Sequence, residues 1–283
     1  KGAYIRVRLL FIGDVVGKPG RQLVAQLLPS YLQEGQVDLV VANGENAAGG
    51  LGITPEVAAE LFALGVDVLT SGNHLWDKKE VMPFLDREER LLRPLNWPGD
   101  PPGRGSLIMQ SRSGIPVAVV CAMGRVFAPV LLDCPFRALA REVERLRAEA
   151  RVVLVDFHAE ATSEKVAMGW FLDGRVSAVI GTHTHVQTAD EAVLPGGTAY
   201  ITDVGMTGPW HSVIGMRTET IVQRFLDQLP SRFDVARGPR QFNAVVVDVD
   251  ESTGMARSIR RLFHREEASS PAGPTEGSPD AGP

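Results

Sequence analysis

The stretch Val7-Arg8-Leu9-Leu10-Phe11-Ile12-Gly13-Asp14 sets a pattern that later parts of the chain repeat. A short apolar run rich in Val, Leu and Ile is typical of a buried strand. Here it is followed almost at once by Asp14, whose carboxylate can bind a metal ion. The run from Leu39 to Ala42 leads in the same way to Glu45 and Asn46. We therefore expect buried strands that carry the chemistry at their carboxyl ends.

Three further predicted strands also end on side chains that can bind metals. They are Val66 to Thr70, followed by Asn73 and His74; Val152 to Phe157, followed by His158; and Val176 to Ile180, followed by His183 and His185. In an open parallel sheet the carboxyl ends of the strands share one edge. Four of the 6 histidines fall on this predicted edge, so we expect the five strand exits to converge on one site.

Helical patterns separate these strands. One begins at Pro19 and is expected to kink or split at Pro29. Another has Thr54 as its N-cap with Pro55 behind it, and a third covers Pro135 to Ala150. The alternation predicts right-handed crossovers and a mostly parallel sheet with helices outside.

The end of the chain shows two different patterns. The runs Phe242 to Val249 and Met255 to Phe263 flank a short polar turn, which predicts an antiparallel hairpin. Residues 268–283 are almost wholly Ala, Ser, Pro, Gly and Thr, which predicts a disordered tail. Since no linker interrupts the alternation before it, we expect one domain over residues 1–267.

Composition restricts the possible partners. Lys plus Arg is 29 against 34 Asp plus Glu, a net charge of -5, so long nucleic acid is not an expected partner. The 2 cysteines form no C-x-x-C pair, which argues against a disulfide framework or a zinc ribbon and favours the cytoplasm. No apolar run reaches the length that a membrane span or a signal-peptide core needs.

Each candidate ligand has an ordinary explanation when it is taken alone. Asp14 and Asn46 sit near glycines, where turns are common, and Glu45 fits a solvated loop. The segment from Gly181 to His185 is sharper, because residues two apart in an extended segment point to the same side. Three imidazoles, two carboxylates and two amides exceed the ligands of one ion. Two ions bridged by a carboxylate would use them all.

Competing motifs fit poorly. The chain has no P-loop, no G-x-G-x-x-G and no G-x-S-x-G. The glycine-rich segment from Gly44 to Gly52 fits either a loop whose backbone approaches a ligand or a plain mobile loop. The segment from Asp203 to Met216 could rim the site, with Trp210 either packed in the core or stacked on a base.

Together these motifs resemble the calcineurin-like metallophosphoesterases, and more closely their bacterial YmdB-like branch. The resemblance covers about residues 7 to 263 and includes the long stretches from Leu10 to Gly17 and from Asp156 to Lys165. It implies a four-layer α/β/β/α sandwich with largely parallel central strands and an antiparallel C-terminal hairpin. Two departures from the wider superfamily are the absence of a histidine two residues after Asp14 and the presence of Glu45 in place of an aspartate.

The resemblance also implies a two-metal site and an activity. One ion would be held by Asp14, Glu45, Asn46 and His185, and the other by Glu45, Asn73, His158 and His183. Glu45 would bridge them and His74 would donate a proton. Iron or manganese is expected, with zinc or magnesium open. The implied activity is hydrolysis of small phosphodiesters such as 2′,3′-cyclic mononucleotides, by a hydroxide formed on the metals.

Alternatives stay open at this stage. One is a broad phosphomonoesterase with the same metals, and another is a regulatory or scaffold protein on a hydrolase fold. The sequence also leaves open whether the protein forms a homo-oligomer.

Overall fold

The computed structural model describes residues 6–33 and 35–267, so the tail predicted at residues 268–283 lies outside the described residues. The strands are β1 Arg6–Ile12, β2 Asp14–Val15, β3 Leu39–Asn43, β4 Val68–Thr70, β5 Ser106–Gln110, β6 Pro116–Met123, β7 Val152–His158, β8 Ala178–Thr182, β9 Ala192–Val193, β10 Ala199–Ile201, β11 Met206–Pro209, β12 Arg240–Asp250 and β13 Ala256–Arg265. The helices are α1 Gly17–Gln33, α2 Pro55–Ala63, α3 Val81–Leu85, α4 Pro135–Arg147, α5 Thr162–Leu172 and α6 Thr218–Asp227, with a 3₁₀ turn at Leu75–Asp77.

The first sheet has seven strands and is mixed. Its order is β2-β11-β12-β1-β3-β4, and β13 pairs with β12 beside that path. β1, β3 and β4 are parallel, whereas β12 is antiparallel to both β1 and β13. The predicted hairpin of β12 and β13 is therefore confirmed, and it enters the sheet next to β1.

The second sheet has six strands in the order β5-β6-β7-β8-β10-β9. Its four central strands β6, β7, β8 and β10 are parallel. The edge strands β5 and β9 are antiparallel to their neighbours. The predicted parallel centre is thus confirmed.

Three apolar cores separate four layers. Leu9 of β1 and Leu154 of β7 lie in the core between the two sheets. Their neighbours point the other way, since side chains alternate along a strand: Leu10 packs with α1 and α2, and Val153 packs with α4 and α5. Each sheet is covered by helices on its outer face, as the predicted α/β/β/α sandwich requires.

Two helix predictions have different outcomes. α2 begins after Thr54, whose side-chain oxygen accepts a hydrogen bond from the Val57 amide at 3.3 Å. The predicted split at Pro29 is wrong, because α1 continues to Gln33. Pro29 and Ala25, whose carbonyl loses its helical partner there, are both exposed, so water can hydrogen-bond that carbonyl.

Two expectations from composition concern covalent links and membrane spans. Cys121 and Cys134 are both free, as predicted. Among residues 6–33 and 35–267, no helix combines the length and apolarity that crossing a bilayer demands.

Candidate metal centre

The eight predicted site residues meet at one rim, formed by the carboxyl ends of strands from both sheets. β1, β3 and β4 lead to Asp14, Glu45, Asn46, Asn73 and His74, whereas β7 and β8 lead to His158, His183 and His185. Asp14, Glu45 and His158 are at most 1% exposed. The convergence that was expected from strand order is therefore present in three dimensions.

One group of these residues surrounds the Nε2 atom of His158. Glu45 Oε1 lies 3.2 Å from it, Asn73 Oδ1 lies 3.1 Å from it and His183 Nδ1 lies 2.9 Å from it. Glu45, His158 and His183 offer ligand atoms that all lie within 4.8 Å of one another. One ring nitrogen carries at most one proton, so it cannot donate to all three neighbours.

A second group surrounds the Nε2 atom of His185. Asp14 Oδ1 lies 3.5 Å from it, and the Asn46 amide nitrogen lies 3.2 Å from it. Asp14 Oδ1 is buried and has no hydrogen-bond partner among the described residues. An orphaned carboxylate oxygen beside an imidazole fits a cation site. Turning the Asn46 amide over would present its oxygen to the same point.

Glu45 connects the two groups. Its Oε1 atom contacts His158 and also accepts a hydrogen bond from the Asn46 amide at 3.3 Å. Its Oε2 atom accepts a hydrogen bond from the His74 backbone at 2.9 Å. The carboxylate therefore contacts a member of each group.

All three imidazoles have their second ring nitrogen held by an acceptor. The acceptors are Thr182 Oγ1 at 2.9 Å from His158 Nδ1, Glu160 Oε2 at 2.9 Å from His183 Nε2, and the Ile214 carbonyl at 2.9 Å from His185 Nδ1. In a neutral ring the proton then sits on that nitrogen, and the lone pair of the other faces the centre. This donor set fits metal ions.

The charges of the site favour a cation. Burial would raise the pKa of Asp14, but the adjacent His185, with the charges of His158 and His183, lowers it to about 2. Burial would lower the pKa of His158, but Glu45 raises it to about 9. Positive charge at the centre is thus stabilised by two buried carboxylates.

His74 lies beside the two groups rather than within either. Its Nδ1 atom is 2.8 Å from Asp77 Oδ2, and its side chain is 34% exposed. This contact leaves Nε2 as the ring nitrogen available to a ligand in the adjoining cavity, which His74 lines. The arrangement suits proton transfer better than metal binding.

A buried ion pair supports the two histidines after β8. The Asp203 carboxylate accepts hydrogen bonds from Lys165 Nζ at 2.7 Å, from the Thr184 amide at 3.0 Å and from the Thr184 hydroxyl at 2.7 Å. Thr184 lies between His183 and His185, whose φ values of 107° and 66° are in the left-handed region. Such backbone is strained, and the Asp203 contacts hold it in place.

The His158 ring is held by a hydrogen bond to β8 on one side and packs closely against Gly72 on another. Thr182 passes the hydrogen bond of His158 on to Asp156, at 2.7 Å, and burial raises the pKa of Asp156 to about 6. A Cβ atom at Gly72 would lie 2.2 Å from the His158 ring. Only glycine therefore lets the Asn73 segment approach this imidazole.

A cavity of about 660 Å³ opens over the rim. Gly50 and Leu51 line it, as expected of a glycine-rich loop that approaches a ligand. Ile214 and Met216 line it too, so the segment predicted to rim the site does so. Trp210 lies instead in a separate cavity, where the Arg265 guanidinium covers its ring at 3.2 Å. The hypothesis that Trp210 stacks on a base is therefore not supported.

Sequence reasoning missed several residues that support or surround the rim. They are Asp77, Asp156, Glu160, Lys165, Thr182, Asp203, Arg224, Phe225 and Phe233. Asp156 could have been found, because it is a charge within an otherwise apolar predicted strand. Phe225 and Phe233 carry no local signal, since their position over the rim depends on tertiary packing.

Comparisons with known proteins place the chain in a family. Residues 10–262 match the family described as "YmdB-like protein". The chain is 48% identical over 257 residues to the 2′,3′-cyclic-nucleotide 2′-phosphodiesterase of Bacillus subtilis strain 168. The matched region covers 91% of this chain and 97% of that protein.

Two solved structures are also similar. One is a hypothetical protein from Thermus thermophilus, with a TM-score of 0.86, 46% identity and coverage of 92% of this chain and 100% of that one. The other is a novel phosphatase from Mycoplasma pneumoniae, with a TM-score of 0.87, 34% identity and coverage of 94% and 96%.

Proposed function

The chain belongs to the YmdB-like family, and from that premise we propose that it is a metal-dependent phosphoric diester hydrolase acting on 2′,3′-cyclic nucleotides. The observation that carries the proposal is the position of the Glu45 carboxylate between two groups of ligands from two sheets. A chain that used this fold only as a scaffold would have no need to keep both groups.

The proposed metal ligands follow the two groups of contacts. Asp14, Asn46 and His185 would hold one ion, and Asn73, His158 and His183 the other, with Glu45 shared. Imidazole, carboxylate and amide donors suit iron or manganese, which we propose as the metals. Bound there, two divalent cations would supply attraction for the phosphate, charge stabilisation in the transition state and a water molecule of lowered pKa. We retain the cytoplasm as the expected compartment because both cysteines are free.

The chain's own residues perform the proton transfer in this mechanism. A water oxygen forms a new bond to phosphorus while the bond from phosphorus to one ribose oxygen breaks. His74, protonated on both ring nitrogens, donates its Nε2 proton to the departing oxygen, while its Nδ1–H stays hydrogen-bonded to Asp77. The proton released by water returns to His74, so one water is added across the ester bond.

Phosphate would be drawn to the site despite the net charge of -5. Two divalent ions would bring four positive charges against the two carboxylates Asp14 and Glu45. The local surplus outweighs the acidic chain because a field is strongest in a cleft.

Metal content and activity test this proposal together. Purified protein is analysed for bound metals and assayed on 2′,3′-cyclic AMP, on a bis-aryl phosphate and on a mono-aryl phosphate, with and without a chelator. We expect two metal equivalents, turnover of both diesters and loss of turnover with the chelator. Preferential hydrolysis of the monoester would replace the proposal with a phosphomonoesterase, and a metal-replete protein inert on all three would favour the scaffold.

The assignment of individual ligands is tested at Asn73. Asn73→Ala should bind one metal equivalent fewer than the parent. Asn73→Asp, which keeps an oxygen at the same place, should bind both. Normal loading and turnover in Asn73→Ala would show that the ligand set is wrong.

A further inference from the structure

The cavity over the rim has two chemically different sides. The rim side is polar, with Glu45, Asn46, His74 and the histidines after β8. The other side, which we call the apolar wall, consists of Leu51, Val213, Ile214, Met216, Ile221, Phe225 and Phe233. The rim accounts for binding a phosphate, but it gives no reason for an extended apolar surface beside it.

The apolar wall exposes large side chains inside a concave surface. Phe225 of α6 is 74% exposed and Ile214 is 49% exposed. Exposed aromatic area next to a polar site lowers the free energy of a bound ligand that covers it. The cavity volume of about 660 Å³ lies within the range of small-molecule sites, roughly 300–1,000 Å³.

Neighbouring residues contact the backbone of Phe225 and the ring of Phe233. The Arg224 guanidinium carbon lies 5.3 Å from the centroid of the Phe233 ring. Gln228, which ends α6 with a φ of 59°, donates a side-chain hydrogen bond to the Phe225 carbonyl at 3.0 Å. The Phe225 ring is open to a flat ligand, and the Phe233 ring has a cation near one face and its other face free of that contact.

We propose that the apolar wall is a nucleobase subsite, in which Phe225 and Phe233 stack on the base of a cyclic nucleotide whose phosphate sits on the rim. The inference rests on the proposed function, since it places the nucleoside half of that substrate. Trp210, which lines the neighbouring cavity with His185, is covered by Arg265 and does not line this one.

The composition of the wall also defines what it recognises. Its apolar members offer no hydrogen bond that could read the edge of one base. Two polar residues line the cavity beside them, Gln228 and Arg224, and they already contact the Phe225 carbonyl and the Phe233 ring. Stacking tolerates every base because each has a π-face. The affinity of the subsite should therefore depend on whether the substrate carries a base and only little on which base it is. The 2′,3′-cyclic phosphates of adenosine, guanosine, cytidine and uridine should have kcat/KM values within a few-fold of one another.

A matched pair of substrates tests the subsite. The first is 2′,3′-cyclic AMP and the second is methyl ribofuranoside 2,3-cyclic phosphate, which has the same reacting ring and no base. Phe225→Ala should lower kcat/KM for 2′,3′-cyclic AMP about tenfold, within the range of a lost base stack. The base-free substrate should change less than about twofold.

Leu226→Ala is the matched control variant. Leu226 is the next residue of α6, is 76% exposed and does not line the cavity, so both substrates should keep their parent values. Equal losses on the two substrates in Phe225→Ala, or equal kcat/KM of the parent for both, would overturn the subsite. If neither substrate is hydrolysed by metal-replete parent protein, the proposed function fails instead.

A binding measurement separates the subsite from catalysis. Saturation-transfer NMR with adenosine 3′-monophosphate and chelator-treated protein should show transfer to the base protons, weakened in Phe225→Ala and unchanged in Leu226→Ala. Transfer that is equal in all three proteins would contradict the inference. A sedimentation coefficient that falls in Phe225→Ala would place a second copy of the chain on the wall and would also overturn it.

Discussion

The rim and the apolar wall face the same cavity but are built in opposite ways. Rim residues such as Asp14 and His158 are at most 1% exposed, and hydrogen bonds from both sheets hold them. The wall depends on α6 and on nearby loops, and Phe225 is 74% exposed. The rim is therefore fixed by many contacts and the wall by few.

This difference separates the reaction from the choice of substrate. Ligands of metal ions must keep their positions closely, which requires buried support behind each one. A stacking surface needs only apolar area and tolerates small movements. We therefore expect rim variants to lower turnover of every phosphodiester, and wall variants to lower only the turnover of substrates that carry a base.

The largest effect is expected at the residue that connects the two ligand groups. Glu45→Gln removes the shared negative charge, so the affinity for both metal ions should fall. The kcat/KM should fall by more than about 10³-fold on all substrates. This exceeds the roughly 10–100-fold cost of losing a residue that only hydrogen-bonds to a ligand. Elemental analysis of bound metal and steady-state kinetics measure this.

Glu56→Gln is the control for that change, because Glu56 is an exposed carboxylate on α2. It should match the parent in metal content and in kcat/KM. Full metal loading of Glu45→Gln would refute the bridging role. It would also contradict the expectation that rim variants lower the turnover of every phosphodiester.

A smaller loss without loss of metal is expected at His74. His74→Ala removes the proton donor and no proposed ligand, so kcat should fall about 10²–10⁴-fold while both equivalents stay bound. His264→Ala, which changes an exposed histidine of β13, should have no effect. Parent-like turnover in His74→Ala would exclude this residue from the mechanism.

The buried support behind the rim should matter less than the rim itself. Thr184→Val removes the hydroxyl that donates to Asp203 at 2.7 Å, so His183 and His185 lose part of what orients them. Metal affinity, measured by competition with a chelator, should fall about 10–100-fold. Thr184→Ser keeps the hydroxyl and should bind metal like the parent. If both variants bind equally, the Asp203 contact does not position the ligands.

The smallest effect is expected on the wall. Arg224→Met keeps the side-chain stem but removes the charge over Phe233, an interaction of about 0.5–1 kcal/mol at an exposed site. The kcat/KM for 2′,3′-cyclic AMP should fall about two- to fivefold, with the base-free substrate unchanged. Arg141→Met on the exposed side of α4 is the control. A loss that extends to the base-free substrate would remove the distinction between wall and rim.

Much of the fold could be predicted from local patterns. Continuous apolar runs identified β1, β3, β7 and β8, and Thr54 with Pro55 identified the start of α2. The short strands β2, β9 and β11 were missed, because two to four residues give no periodicity that differs from a loop. The helix does not split at Pro29, because an exposed helix face lets water replace the missing hydrogen bond.

The candidate site divides in the same way. The eight predicted residues could be found because each follows a predicted strand, and the parallel strands of one sheet end at one edge. That the edges of two sheets meet at one rim was decided by tertiary packing. Asp203 and Lys165 were not identified, since a buried charge is functional only by what it contacts, and the contacts of Asp203 join residues 19 and 38 positions apart.

The sequence by itself determined the kinds of atoms available to the site and the ends of the strands that carry them. Only the tertiary structure decided that Glu45 lies between two groups of ligands, that all three imidazoles turn one ring nitrogen to the centre, and that Leu51, Ile214 and Phe233 form one wall. The reason is physical: strand periodicity depends on neighbours along the chain, whereas a cavity depends on how separate elements pack.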